Sequence, residues 1–180
     1  VVCLSGEGAD EMFAGYRFYL YSLAMEKARR ICGAGLFRGL SGLIGGIGRL
    51  AKFRKYLDLA SRPLEQRYRG VSSYESGKKL RLYSSGFAGR AAEGNPGCRA
   101  FVEGLFSRSQ AWDPLSRMLY FDTKTWLVDD LLIKADRMSM ANSIELRVPF
   151  LDHRLVEQAA ILPSHEKIRN FRTKVILKRI

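Results

Sequence analysis

The apolar positions of the chain change period within its first sixteen residues. Val1 to Leu4 form a mostly apolar run of the kind that makes a short buried strand, and from Ala9 onward Met12, Phe13 and Tyr16 recur at helical spacing. Ser5-Gly6-Glu7-Gly8 stand between, so the unit predicted is strand, glycine turn, helix. In "GAGLFRGLSGLIGGIGRLAKFRKYL", Leu36, Leu40, Leu43, Ile44, Ile47 and Leu50 fall at three- and four-residue steps. That spacing predicts a helix packed on a neighbour, weakened by seven glycines between Gly33 and Gly48, each costing about 1 kcal/mol relative to Ala. The flanking basic residues also suit a membrane-surface helix. "SRPLEQRYRGVSSYESGKKLRLYSSG" predicts short helices broken by Ser and Gly, and "AAEGNPGC" is the clearest loop.

In the C-terminal half, Asp113-Pro114 reads as an N-cap followed by the first helical residue, opening a helix that runs toward Trp126. Asp129 or Asp130 is placed to cap a further helix reaching about Asn142. Arg147 to Pro149 must be extended, because the residue before a proline is pushed out of the helical region. Asp152 then caps an amphipathic helix through Leu155, Val156, Ala159 and Ala160, closed by Pro163. The fold class expected is a mainly α-helical chain with one short strand at its start.

With 180 residues, 47% of them hydrophobic and 27% charged, the chain can bury one core and is unlike a disordered segment. Cys3, Cys32 and Cys98 are odd in number and widely spaced, and His153 and His165 have no metal-ligand spacing, which suggests neither a disulfide framework nor a zinc site. A reducing cytoplasm fits best. No run of about 18 apolar residues occurs, so no membrane span is expected. The net charge is +12, and fifteen of the thirty basic residues lie between Lys27 and Arg90, against only Asp58, Glu65 and Glu75. The excess therefore belongs to a basic helical segment, about 27–100, away from the opening turn. No nucleic-acid signature accompanies it, and a solvated helical surface is the expected role.

Two constellations could carry chemistry. In the opening turn, glycines 6 and 8 let backbone approach a ligand, and free N–H groups at the helix start favour an anion. Glu7 among them suits a proton acceptor or a ligand for a hydrated magnesium ion that holds phosphate, and Asp10, one helical turn on, could meet the same ion. Alternatively Glu7, Asp10 and Glu11 merely complement the helix dipole. The second constellation is Asp130, Lys134 and Arg137 at i, i+4 and i+7 on one helical face, amid Leu131, Leu132, Met138 and Met140, so partial burial is expected. Glu145 and Arg147 would point to one side of an extended segment and form a structural salt bridge. Lys174 could neutralise a pyrophosphate or lie on a solvated basic helix.

Together, "SGEGADEMFAGY" and "LLIKADRMSMANSIELRVPFLDHRLVE", in that order, closely resemble the synthetase domain of glutamine-hydrolysing asparagine synthetases. The resemblance covers the whole chain, strongly at both ends and weakly through the basic middle, where "EQRYRGVSSY" is similar to a segment of longer bacterial members. It implies the C-terminal part of an α/β adenine-nucleotide-binding domain of the PP-loop ATP pyrophosphatase type. It also implies an ATP- and magnesium-dependent ligase that converts aspartate to β-aspartyl-AMP and lets ammonia displace AMP, the ammonia coming from a glutaminase domain of the same full-length chain. By this resemblance Ser5 and Gly6 contact ATP, Glu7 takes a proton from the attacking ammonia, and Asp10 helps hold magnesium and pyrophosphate. Asp130, Lys134, Arg137 and Lys174 become possible support for the active site.

The family's Ser-Gly-Gly-x-Asp-Ser pyrophosphate loop and its N-terminal nucleophilic cysteine have no counterpart here. The 180 residues are thus expected to be a portion of such a domain, inactive alone. Ala14 stands where the family has glycine, and Lys178 where it usually has arginine. Other amide-forming or β-lactam-forming synthetases share the fold but tend to use a tyrosine and glutamate pair for proton transfer. A non-catalytic basic helical module is the reading from a different class.

Overall fold

The computed structural model describes residues 1–44, 51–68, 70, 81–92 and 96–180. Its elements are β1 (Val2–Leu4), α1 (Ala9–Phe13), α2 (Arg17–Leu43), α3 (Ala51–Ser61), α4 (Leu64–Arg67), α5 (Ser85–Ala92), α6 (Pro96–Arg108), α7 (Pro114–Lys124), a π-helical turn (Leu127–Leu132), α8 (Ile133–Met140), β2 (Glu145–Arg147), α9 (His153–Ile161) and α10 (Ser164–Lys167). The expectation of a mostly helical chain holds, with one addition that no local pattern revealed. β1 pairs in parallel with β2, Val2 opposite Glu145, Cys3 opposite Leu146 and Leu4 opposite Arg147. Parallel strands need a long crossover, so sequence neighbours could not announce the partner.

β1 was expected to be buried and is not: Val2 is 57% and Leu4 75% exposed. Pairing with β2 satisfies backbone groups on one edge, but among the described residues no helix covers these side chains. α1 is also shorter than its apolar spacing predicts. It stops at Phe13 because Ala14 adopts a left-handed conformation (φ 57°) and Gly15 N–H bonds back to the Asp10 carbonyl at 2.9 Å. Tyr16 is therefore not on α1 but precedes α2 in an extended conformation.

The glycine-rich stretch is helical as far as Leu43, with a break at Gly33 (φ 77°). It packs on α3, yet Leu36, Leu40 and Leu43 stay exposed. Its end, 45–50, lies outside the described residues, as do Arg69 and 71–80 of the Ser- and Gly-broken segment. Of the stretch expected as a loop, "AAEGNPGC", Ala91 and Ala92 belong to α5 and Pro96 opens α6, where a proline's missing N–H is harmless, and 93–95 lie outside the described residues.

Asp113 caps α7 as expected, its side chain accepting from the Leu115 and Ser116 amides at 3.0 and 3.3 Å, and Asp152 caps α9 through the Arg154 amide at 2.9 Å. The predicted cap at Asp129 or Asp130 is not formed. Both residues lie inside the π-helical turn that joins α7 to α8 with barely a break. The main core gathers Tyr19, Leu64, Tyr68, Leu105, Phe106, Leu115, Met118 and Phe121 between α2, α4, α6 and α7. At its centre Asp122, fully buried, accepts at Oδ2 from the hydroxyls of Tyr19 at 2.6 Å and Tyr68. Burial and the nearby Asp122 carboxylate push both phenols well above their usual range.

In the basic segment, Glu26 is buried and gathers Arg67 at 2.9 Å, Arg30 at 3.3 Å and Arg29 at 3.4 Å. Burial is the largest single effect and opposes its ionisation, but the charges and hydrogen bonds of Arg67 and Arg29 together outweigh it and hold its pKa below the usual range. Among the described residues no helix is long and apolar enough to cross a membrane.

Candidate active site

The turn after β1 is pinned at its start by the Ser5 amide, which donates to the Arg147 carbonyl at 2.9 Å, and at its end by Gly8, in the left-handed region at φ 86°. The two glycines differ in purpose. A side chain at Gly8 would begin 2.2 Å from Leu151 Cδ2, so its bareness serves packing against the segment after β2. A side chain at Gly6 would meet no atom within 4 Å. The expectation that both glycines face a ligand is corrected for Gly8 and remains open to one at Gly6. Glu7, half-buried between them, makes no hydrogen bond or ion pair within the described residues.

The next two acids diverge. Asp10 Oδ1 lies 3.0 Å from Lys174 Nζ, both side chains partly exposed. Lys174 reaches it from a left-handed backbone position (φ 52°) rather than from a solvated helix. Gly15 makes this pair possible: a Cβ there would lie 1.5 Å from Asp10 Oδ1 and 2.3 Å from Lys174 Cε. Glu11 turns inward instead. It is 1% exposed and accepts at Oε1 from the Tyr16 hydroxyl at 2.7 Å, while its second oxygen is buried without a hydrogen bond. Desolvation raises its pKa despite the Tyr16 hydrogen bond. The dipole alternative therefore fails for Glu11, which is a core residue.

Lys134 Nζ lies 3.9 Å from Asp130 Oδ2, and the expected partial burial holds for Asp130, Leu131 and Leu132 only: Lys134 and Arg137 are exposed, and so are Met138 and Met140. No hydrogen bond or ion pair joins these three to Glu7, Asp10 or Lys174 among the described residues. Glu145 and Arg147 form the predicted bridge, Arg147 Nε donating to Glu145 Oε1 at 2.8 Å. His153 and His165 are exposed, as expected, and the described residues contain no group of three or more His, Cys, Asp or Glu that could hold a metal. Sequence reasoning missed Gly15 and Tyr16; the only signals were a tyrosine five residues after Glu11 and a glycine after Ala14.

Glu7, the open Gly6 and the Asp10 of the ion pair thus follow one another directly after the C-terminal end of β1, which pairs in parallel with β2. A model of the asparagine synthase family matches residues 1–180. Asparagine synthetase [glutamine-hydrolyzing] 1 of Bacillus subtilis is 36% identical over 99% of this chain and 27% of its own length. Putative asparagine synthetases of Mycobacterium tuberculosis and Mycobacterium bovis are 37% identical over 99% of this chain and 26% of theirs. An amidase, chyE, of Penicillium rubens is 32% identical over 44% of the chain and 14% of its own. The chain spans about a quarter of the length of the curated synthetases it matches, and no solved structure matches it. Sequence order, the turn after β1 and the match over the full 180 residues agree: the chain belongs to the asparagine synthase family.

Proposed function

We propose that the protein carrying this chain is an ATP-dependent ligase that turns aspartate into asparagine with ammonia drawn from glutamine, and that β1 and β2 belong to a parallel sheet of the PP-loop ATP pyrophosphatase type. The observation that carries the reading is the half-buried, unpartnered Glu7 set between the open backbone of Gly6 and the Asp10–Lys174 pair. Uncovered faces on a parallel strand pair, which is ordinarily sandwiched, support the sheet.

The residues present fit ATP and magnesium. Magnesium with ATP typically keeps several waters and takes one or two carboxylates besides phosphate oxygens, so a lone Asp10 is sufficient protein ligand. Lys174, now on Asp10, offers its charge to pyrophosphate. Magnesium, when bound, supplies charge neutralisation on the phosphates. Ser5 and Gly6 present the end of β1 to the nucleotide.

The aspartate side-chain oxygen attacks the α-phosphorus, and the bond to pyrophosphate breaks. Lys174 is placed to stabilise the charge that leaves. Ammonia then attacks the acyl carbon and grows acidic as it adds. Glu7, with no competing partner, accepts that proton as the C–O bond to AMP breaks. Tyr16 and Glu11 do not supply the tyrosine and glutamate relay of the β-lactam-forming relatives, because Glu11 is sealed inside the protein. Work in the cytoplasm accords with three exposed cysteines, odd in number and widely spaced along the chain.

Incubating the purified full-length protein with ATP, magnesium, aspartate and ammonium chloride should yield asparagine, AMP and pyrophosphate in equal amounts. Formation of ADP and phosphate instead would remove the adenylate from the reading.

A further inference from the structure

A cavity of about 540 Å³ lies between α1, α7 and α9, within the size range of small-molecule sites. It is separate from the Asp10–Lys174 pair, since Glu11 and Met12 line it and neither Asp10 nor Lys174 does. Its walls are mostly apolar, with Leu119, Val156 and Leu162 facing Met12.

Its few polar groups decide what it can hold. Asp113 already accepts from the Leu115 and Ser116 amides, from the Ser116 hydroxyl at 2.5 Å and from the Ser164 hydroxyl at 2.6 Å. Thr123 donates to the Leu119 carbonyl at 2.7 Å. Glu11 is engaged by Tyr16, and its other oxygen is closed off from solvent. Lys167 is different. It is 3% exposed, and its ammonium has no hydrogen bond or ion pair among the described residues; Asp113 is felt only electrostatically. The residue is almost wholly enclosed, yet its nitrogen is not among the fully buried polar atoms and keeps contact with solvent, so an acceptor entering the cavity would replace water on an ammonium already largely desolvated along its stem.

We propose that this cavity binds a small apolar monocarboxylate, its head group on the Lys167 ammonium and its hydrocarbon against Met12, Leu119, Val156 and Leu162. The nearby Asp113 charge favours a singly charged head group over a phosphate dianion. An amine would face Lys167 with like charge.

The test is calorimetry and saturation-transfer NMR on the full-length protein with 4-phenylbutyrate, 4-phenylbutanol and 4-phenylbutylamine. The acid is expected to bind with Kd on the order of 0.1–1 mM, the alcohol more weakly and the amine not at all. Lys167→Met keeps the largely enclosed stem and removes a cation that has no ion pair among the described residues, and so should fold; acid affinity should fall at least about tenfold while alcohol binding persists. The three-probe comparison on the unaltered protein decides the matter even if that variant fails to fold. No binding of the acid, equal binding of the amine, unchanged affinity in Lys167→Met, or displacement of the acid by ATP with magnesium would each overturn the proposal. The last would place the acid in the nucleotide site instead, leaving the ligase reading untouched.

Discussion

Lys174, near one end of the chain, places its ammonium 3.0 Å from the carboxylate of Asp10, near the other, in space that exists because residue 15 is glycine. Gly15→Ala should therefore separate the pair. A misplacement near 1 Å at reacting groups costs about 10²-fold in rate, so asparagine synthesis by the full-length protein should fall by that order while glutamine hydrolysis continues. Unchanged synthesis would show that the pair is not used as proposed. Circular dichroism melting is expected to move little, because the displaced side chains are partly exposed.

Asp10→Asn should behave differently. If Asp10 is a magnesium ligand, the amide weakens the ion's site without abolishing it, and raising magnesium should restore part of the lost rate. Titrating magnesium against initial rate checks this, and a loss insensitive to magnesium would assign Asp10 to positioning Lys174 alone.

Glu7→Gln preserves shape while removing the proposed base. Synthesis should drop by about two to four orders of magnitude, the scale of a lost general base, with no rescue by magnesium. Because Glu7 has no hydrogen bond or ion pair among the described residues, the melting temperature should hold. A variant that unfolds, or that makes asparagine at the parental rate, contradicts the role.

Two acids should give opposite pH signatures in stability. Glu11 has a raised pKa from burial. The folded state then favours its protonated form, a contribution present in full below the unfolded pKa and lost as pH rises through the folded one. Glu11→Gln should therefore stabilise the protein at pH 7–8 more than at pH 4. Asp113, although burial opposes it, has its pKa lowered by the Ser116 and Ser164 hydroxyls and the α7 amides. Its contribution is present above the unfolded pKa and disappears as pH falls through the folded value. Asp113→Ala should cost about 0.5–2 kcal/mol at neutral pH, as for other lost helix caps, and less below pH 4. Melting curves of both variants across pH 3–8 test the two slopes together.

Asp122 supplies a stability test remote from the site. Tyr19→Phe removes one hydrogen bond to a buried carboxylate and should cost about 1.5–3 kcal/mol. Asp122→Ala strips the acceptor from both Tyr19 and Tyr68 and should cost more than either tyrosine substitution alone. Equality of the three, read by urea denaturation, would mean the hydroxyls find other partners.

The sequence by itself determined what depends on neighbours a few residues apart. Asp113-Pro114 and Asp152 had to start helices, Val148 before Pro149 had to leave one, and Ser5-Gly6-Glu7-Gly8 had to turn, because caps, proline and glycine act within a single turn of chain. Family membership was legible for the same reason, in two long motifs read in order. Distance in sequence marks what was not legible. Spacing could not say that Asp10 would meet Lys174, that Gly8 makes way for Leu151, or that β1 pairs with β2. Nor could charge and position tell Glu11 from Asp10, adjacent acids on one short helix, of which one is buried against Tyr16 and the other turned toward a lysine. The face each acid occupies is fixed by what α1 packs against, and only the assembled chain supplies those neighbours.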